Sequence, residues 1–298
     1  MILFSVIVAN FNNGKFLPDL INSLYQQTYS NWEVIIVDDC STDDSVKIIQ
    51  SYVEDERIKF YRHERNLGAG AAFKTAMDNS VGKVIGMLGA DDALTKQALE
   101  IMVKAHEKYP DASMINSDCF WCDENLNILH KFEHYKPLQP NQSLIRNLTI
   151  GSFATFKRSA YSKTNGFDPD FKRAVDHDIY LKLDEVGTLE YIHEPLYLYR
   201  KNAIGISQNE NGVKAAQFSK IAKINAYKRR IGTKKDNLTK REIRNTQFHY
   251  HQMEFHKALS EKNFKDYAIH FIRCFPLINR QTFKPFLGSI KFSLSKLF

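Results

Sequence analysis

Three short apolar runs, each cut off by a polar or acidic cluster, constrain this chain more than any other feature. Residues 3–9 are apolar and stop at Asn10-Phe11-Asn12-Asn13-Gly14. Residues 33–37 stop at Asp38-Asp39, and residues 84–88 lead through Gly89-Ala90 to Asp91-Asp92. Runs this short and this apolar read as strands buried on both faces. Between them the period changes to that of a helix, with Phe16, Leu17, Leu20, Ile21 and Leu24 on one face. After Asp39, Ser41 or Thr42 is placed to cap a helix carrying Val46 and Ile49. A strand over residues 58–61 leads into the small-residue turn Asn66-Leu67-Gly68-Ala69-Gly70 and a further helix. A helix is then expected from about Leu94 to Tyr109, ending at Pro110. Strand and helix thus alternate, which predicts an α/β fold with a mixed, mostly parallel sheet flanked by helices.

Ligands of such sheets sit outside the carboxyl ends of the strands. Asn10, Asp38, Asp39, Asp91 and Asp92 all fall at such ends, so one cleft is expected to hold them. Two adjacent acids there are costly to bury without a partner. A hard divalent cation, Mg²⁺ or Mn²⁺, is the natural one. The alternative is an ordinary turn, with Asp92 capping the helix that starts near Leu94.

Beyond residue 110, strands are expected at 112–116, 151–158 and 191–200, with a hairpin at Asp123-Glu124-Asn125. Ala174-Val175-Asp176-His177-Asp178 opens a helix. From about residue 208 the pattern is helical and basic. Residues 210–298 hold 19 Lys and Arg against 6 Asp and Glu; the remainder holds 22 against 28. An acidic front is therefore joined to a basic tail that suits an anionic surface. Phe283, Phe286, Leu287, Ile290, Leu294, Leu297 and Phe298 share one helical face, with Lys284 and Lys291 off it. That stripe suits an anionic membrane surface, a docked helix or a dimer contact.

Other classes fit poorly. No Gly-x-Gly-x-x-Gly follows the first strand, against a nicotinamide dehydrogenase. There is no zinc-finger, helix-turn-helix or RNP-like signature, and the front is acidic, so no nucleic-acid partner is expected. Cys119 and Cys122 are spaced as a CxxC pair without a second ligand pair, which reads as reduced cysteines. The N-terminus has no basic region before its apolar run, and no stretch reaches about 20 apolar residues. A cytoplasmic protein is expected, with the tail available to the inner face of the cytoplasmic membrane.

Several segments, in this order, resemble the family 2 glycosyltransferases of the GT-A, Rossmann-like fold. They are Ser5-Val6-Ile7-Val8-Ala9-Asn10-Phe11-Asn12, Val37-Asp38-Asp39-Cys40-Ser41-Thr42-Asp43 and Leu88-Gly89-Ala90-Asp91-Asp92. Gly166-Phe167-Asp168 and Asp176-His177-Asp178-Ile179-Tyr180-Leu181 follow. The resemblance spans residues 3 to about 207. It implies a catalytic domain over 1–207, with a nucleotide-sugar half at 1–110 and an acceptor half at 111–207, and a basic helical extension at 208–298. It implies an inverting transfer from a UDP-sugar to a saccharide or polyprenyl-linked hydroxyl in surface polysaccharide synthesis. The nucleotide set would be Ala9, Asn10, Phe11, Asp38, Asp39, Gly68, Lys74, Ala90 and Asp91. Asp91 and Asp92 would face the metal, Asp176 would be the general base, and His177 and Asp178 would lie on the acceptor side. Chemically, Asp39 can accept the uracil N3–H, Phe11 can stack on the base, and Lys74 can approach the phosphates. The chain departs from the family's usual pattern in four places. Gly89 stands where an Asp-x-Asp-Asp motif has its first acid, Val175 where Glu is common, Ala9 where Pro is usual, and Phe73-Lys74 where Arg-Asn is commoner.

Overall fold

The computed structural model describes residues 1–132, 143–146, 148, 150, 153–202, 210–230, 233 and 239–297. They fall into two compact units, Met1–Gly212 and Val213–Phe298. In the first, β1 (Phe4–Asn10), β2 (Trp32–Asp38), β3 (Ile58–Arg62) and β4 (Val84–Gly89) alternate with α1 (Leu17–Tyr25), α2 (Ser45–Gln50) and α3 (Ala69–Asp78). β5 (Ala93–Leu94), α4 (Ala98–Lys108), β6 (Ala112–Cys122), β7 (Ile128–Phe132) and β8 (Ala154–Lys157) follow. α5 (Arg158–Tyr161), α6 (Val175–Asp184) and β9 (Thr188–Arg200) complete the unit.

The sheet runs β3-β2-β1-β4-β8-β6-β9-β5, with β7 on β6. β1, β2, β3 and β4 are mutually parallel, and β8 is antiparallel to both its neighbours. This is the mixed α/β sheet that the alternation of periods predicts. Every residue of β2 is buried, as are Phe4, Val6, Ile7 and Val8 of β1. Side chains on both faces therefore pack under helices, which is why the runs carry no polar alternation. The register sets Asn10 beside Asp38 and Ala9 beside Gly89. The carboxyl ends of β1, β2 and β4 thus finish at one level.

The structure departs from the sequence reading at several boundaries. Asp92 does not cap a helix. The chain leaves it as β5, and α4 begins at Ala98 with Gln97 as its cap residue. β6 extends to Cys122 because its second half pairs with β7 and β9. Arg158 opens α5 and is not part of a strand; Gly151 and Ser152 lie outside the described residues. Cys119 and Cys122 are buried on β6 and form no disulfide among the described residues.

The second unit holds α8 (Lys240–Ser260), α9 (Phe264–Cys274) and α10 (Phe283–Leu297), with α7 (Glu210–Arg230) leading into it. Thr239 and Glu242 form a reciprocal capping box on α8. Phe248, Phe255, Cys274 and Phe286 make its core, with Ile290 packed against it. Two residues of the apolar stripe, Phe286 and Ile290, thus turn inward, whereas Phe283 and Leu287 are exposed. The side chains of Leu294 and Leu297, and Phe298 altogether, lie outside the described residues. Among the described residues no helix is long and apolar enough to cross a membrane.

One core histidine has a measurable consequence. His106 on α4 is buried, and its Nε2 lies 2.9 Å from Thr155 Oγ1. The Thr155 hydroxyl can donate to the Ile115 carbonyl at 3.2 Å, so His106 is the donor and is neutral. Burial, with Lys157 adding to it, pushes the His106 pKa from 6.5 down to about 3. The unfolded chain then binds more protons than the folded one across that window, so stability falls as pH falls below 6.5. We expect His106 to cost about 2 kcal/mol between neutral pH and about pH 5. Denaturant titrations at both pH values should show that loss in the parent and a flatter dependence in His106→Leu. Equal slopes in the two would reject the assignment.

Candidate active site

The ends of β1 and β2 are sewn together by side chains. Asn10 Nδ2 donates to Asp38 Oδ2 at 2.8 Å and to Ser41 Oγ at 3.3 Å. The Ser41 amide donates to Asp38 Oδ1 at 2.9 Å, and the Asn12 amide to Ser41 Oγ at 2.9 Å. Ser41 is thus spent on the β1 loop and does not cap α2. Thr42 donates its amide to Asn12 Oδ1 at 2.8 Å, and Gly14 donates its own to Asp43 Oδ2 at 2.9 Å. Asn10 and Asp38 are buried, whereas Phe11, the residue after Asn10, is 44% exposed. An aromatic face held in solvent at a strand end is available for stacking.

Asp39 organises the next loop. Its Oδ1 accepts from the Leu67 amide at 2.9 Å and contacts His63 Nδ1 at 2.7 Å; its Oδ2 accepts from the Gly68 amide at 2.7 Å. A carboxylate offers about four acceptor positions, so one on Oδ2 is left over. Gly68 has φ +93°, and a Cβ there would lie 2.4 Å from Lys172 Cδ. The Lys172 ammonium donates to the Leu67 carbonyl, and the Gly70 amide to the Phe171 carbonyl at 2.9 Å. Phe73 stacks on Phe167 with centroids 5.7 Å apart. The Gly166-Phe167-Asp168 turn is therefore clamped to the start of α3. Lys74 is exposed and paired with Asp78 at 2.6 Å, away from the acid cluster.

At the end of β4 the two acids diverge. Asp92 is buried; its Oδ2 accepts from the Tyr197 hydroxyl at 2.6 Å and its Oδ1 from the Arg200 amide at 2.7 Å. Asp91 is half-buried, and its Oδ2 lies 3.4 Å from Asn202 Nδ2. Burial raises the Asp91 pKa. Burial, together with the Asp91 charge, raises that of Asp92 further. Ala90 between β4 and the pair is buried, and Ala9 is half-buried beside Gly89. Arg200 lies on β9 and is itself buried. Its Nε donates to the Asp91 carbonyl at 2.6 Å, Nη2 meets Asp19 at 2.8 Å, and Nη1 meets the Glu124 carbonyl.

A divalent cation fits this donor set in one way. Asp92 accepts one hydrogen bond on each oxygen from β9, so Asp91 is the more open of the two acids read from the sequence as facing a metal. Asp91 is only half-buried, and burial penalises its ionised form less than that of Asp92. Among the described residues no group of three His, Cys, Asp or Glu could hold an ion unaided. One carboxylate plus substrate phosphates is an ordinary coordination for Mg²⁺ or Mn²⁺.

Asp176 and His177 lie in the first turn of α6, with Asp176 Oδ2 and His177 Nε2 4.0 Å apart. The Asp176 side chain is 48% exposed. Ala174, the residue before α6, is left-handed at φ 49°, and Asn12 and Cys40 are also left-handed at φ 55° and 66°. Non-glycine residues in that region carry strain, and such strain gathers at functional sites. Asp178 is buried and paired with Lys182 at 2.5 Å, and Lys182 also donates to the Gly166 carbonyl. Asp178 therefore helps to hold the turn together.

His63, Lys172, Tyr197 and Arg200 escape a reading from sequence. Only Tyr197 and Tyr199 leave a signal, as alternating aromatics near the end of β9. The other three are joined to the site through contacts of 24 to 181 positions in sequence, which no local pattern encodes.

Comparison with known proteins fits this geometry. The E. coli chondroitin synthase is 31% identical over 196 residues, covering 65% of this chain and 28% of that one. An uncharacterized glycosyltransferase of Methanocaldococcus jannaschii is 33% identical over 205 residues, 66% of this chain and 70% of that one. The chain thus spans little more than a quarter of the synthase. Among solved structures, S. aureus TarS 1-349 in complex with UDP-GlcNAc superposes with a TM-score of 0.62 at 16% identity, covering 95% of this chain and 91% of that one. The Pyrobaculum calidifontis mannosyltransferase PcManGT, in complex with GDP-Man and Mn²⁺, gives 0.54 at 16% identity, covering 98% and 86%. Both are likenesses of fold, the GT-A fold expected from sequence. The model of Glycosyl transferase family 2 matches residues 5–164, over half of the chain, and the chain belongs to that family.

Proposed function

We propose that this chain transfers a sugar from a UDP-sugar, with Mn²⁺ or Mg²⁺, to a hydroxyl of a saccharide or polyprenyl-linked acceptor in cell-surface polysaccharide synthesis. The observation that carries the reading is the common rim of β1, β2 and β4. There an exposed aromatic ring, a carboxylate with one unspent acceptor position and a partly buried acid converge. Phe11 would stack on the base. Asp39 Oδ2 would accept the uracil N3–H, which cytosine lacks. Asn10, Asp38, Ala9, Gly68 and Ala90 shape the rim and bring backbone close to the nucleotide. Lys74 would have to leave Asp78 to reach a phosphate. When bound, the cation supplies positive charge to the departing diphosphate. Asp91 would hold it.

The acceptor must lose a proton as it attacks the anomeric carbon. Asp176 is the candidate base because its carboxylate is open, whereas Asp178 is locked to Lys182. Lys172, four residues before Asp176, is anchored on the Leu67 carbonyl beside the Asp39 loop. Four residues span at most about 13 Å, so Asp176 stays near the same rim. Attack opposite the leaving group would invert the anomeric centre. His177 would border the acceptor. The relatives include a chondroitin synthase and a teichuronic acid glycosyltransferase, which supports a polymer acceptor. The exposed Phe283 and Leu287 with Lys284 and Lys291 give α10 a surface suited to anionic lipid. Cosedimentation with anionic vesicles should exceed that with neutral ones; equal binding would remove the membrane from the reading.

The donor is tested by thermal shift with UDP-, GDP- and CDP-sugars, each with and without Mn²⁺. The UDP-sugar should raise the melting temperature most, and more with Mn²⁺. A guanine ring also offers an N–H, so a larger shift with the GDP-sugar would overturn the uracil assignment. The base is tested separately. Asp176→Asn should cut turnover by about 10²–10⁴-fold with little change in donor affinity. Asp178→Asn should lower the melting temperature more than Asp176→Asn, because it breaks a buried ion pair. Near-parental turnover in Asp176→Asn would exclude it as the base.

A further inference from the structure

We propose that Tyr197 is a positioning residue for the metal-facing acid, acting as one unit with Gly89. The inference rests on the metal role proposed for Asp91. The Tyr197 hydroxyl is buried and does two things at once. It accepts the Gly89 amide proton at 3.0 Å and donates its own to Asp92 Oδ2 at 2.6 Å. A Cβ at position 89 would lie 2.6 Å from Asp92 Oδ2, 3.2 Å from Asp91 Oδ1 and 3.2 Å from the Tyr197 hydroxyl oxygen. Any side chain there would displace the phenol or swing the Asp92 carboxylate. Gly89 is required by this local crowding, not by its backbone, since its φ is not left-handed.

The four-residue turn from Gly89 to Asp92 is thereby fixed at each end. Tyr197 holds the Gly89 amide and one oxygen of Asp92. The Arg200 amide holds the other oxygen, and its guanidinium holds the Asp91 carbonyl. The Asp92 amide closes the turn on the Gly89 carbonyl at 3.1 Å. Pairing of Leu94 with Tyr197 in the β5–β9 ladder sets the phenol at this height. Asp91 is the side chain of the acidic pair that this frame does not engage; the frame fixes the backbone from which its carboxylate projects, and Asn202 Nδ2 lies 3.4 Å from its Oδ2. Where the resembled pattern places a third acid, this chain places a neutral hydroxyl. The cleft keeps its geometry with one negative charge fewer.

The test is calorimetry of UDP binding with and without Mn²⁺, in the parent, Tyr197→Phe, Gly89→Ala, the double variant and Asp91→Ala. Tyr197→Phe should lower the Mn²⁺-dependent increment in UDP affinity by about 10–100-fold, the usual cost of losing a group that orients a metal ligand. Metal-free UDP affinity should stay at the parental value. Gly89→Ala should do the same by a different route, and the double variant should lose no more than the worse single one. A purely structural phenol would lower the melting temperature and leave the metal-dependent increment alone. A parental increment in Tyr197→Phe, or additive losses in the double variant, would overturn the proposal. If Tyr197→Phe does not fold, a parental increment in Gly89→Ala does so alone. Asp91→Ala separates the two readings: if it keeps the Mn²⁺ increment, the metal site itself is misplaced.

Discussion

The parallel register of β1, β2 and β4 is the constraint on which the rest depends. It sets Asn10 against Asp38 and Ala9 against Gly89, so three strands end at one level. Each strand is buried along almost all its length, and the one charge β2 carries before its end, Glu33, needs Ser5 and Lys59 as partners. The polar residues that chemistry requires must therefore crowd at the ends. Four acids result, Asp38, Asp39, Asp91 and Asp92, three of them almost wholly buried. Burying a carboxylate without partners would cost several kcal/mol, so the architecture of the rim is largely an answer to that problem.

The answer uses backbone amides and neutral donors more than cations. Asp38 takes an amide and the Asn10 side chain; Asp39 takes two amides and a ring nitrogen; Asp92 takes an amide and a phenol. These bonds do more than satisfy the charges. Each one ties the end of a strand to a loop distant in sequence, so desolvated acids become the joints of the rim. Asp39 fixes the loop that carries Gly68, and that loop is clamped in turn by Lys172 and Phe171. The Asp39 loop and the segment before α6 are therefore not independent. A change at the Gly68 turn is transmitted to the segment that leads into α6.

The fold was legible because its signals are local. Apolar runs of period-free character mark the parallel strands, and the polar stops mark their carboxyl ends, which is why the rim residues could be named in advance. The partners of those residues could not. Ser41 reads as a helix cap by its type and position, yet its hydroxyl serves the Asn12 amide, a contact only the β1–β2 register creates. Asp92 and Asp178 read as functional acids beside Asp91 and Asp176. Only packing shows that each meets a buried donor, Tyr197 and Lys182 respectively. Burial at such positions is set by strands and side chains more than a hundred residues away in the first case, and by helical i,i+4 geometry in the second. The tail illustrates the same limit. A stripe identifies an amphipathic helix but not which part of it turns inward, and Phe286 and Ile290 do so while Phe283 and Leu287 do not.

Two of the departures from the family's usual pattern then acquire physical reasons. Phe73, where a charged residue is commoner, stacks on Phe167 and joins α3 to the Gly166-Phe167-Asp168 turn through apolar contact. Gly89, where an acid is usual, leaves room for a phenol that holds the neighbouring carboxylate. In both cases a charge is exchanged for a contact that reaches across the sheet or the cleft. Desolvating fewer charges lowers the cost of closing the rim, and the added contacts restrict how its parts move.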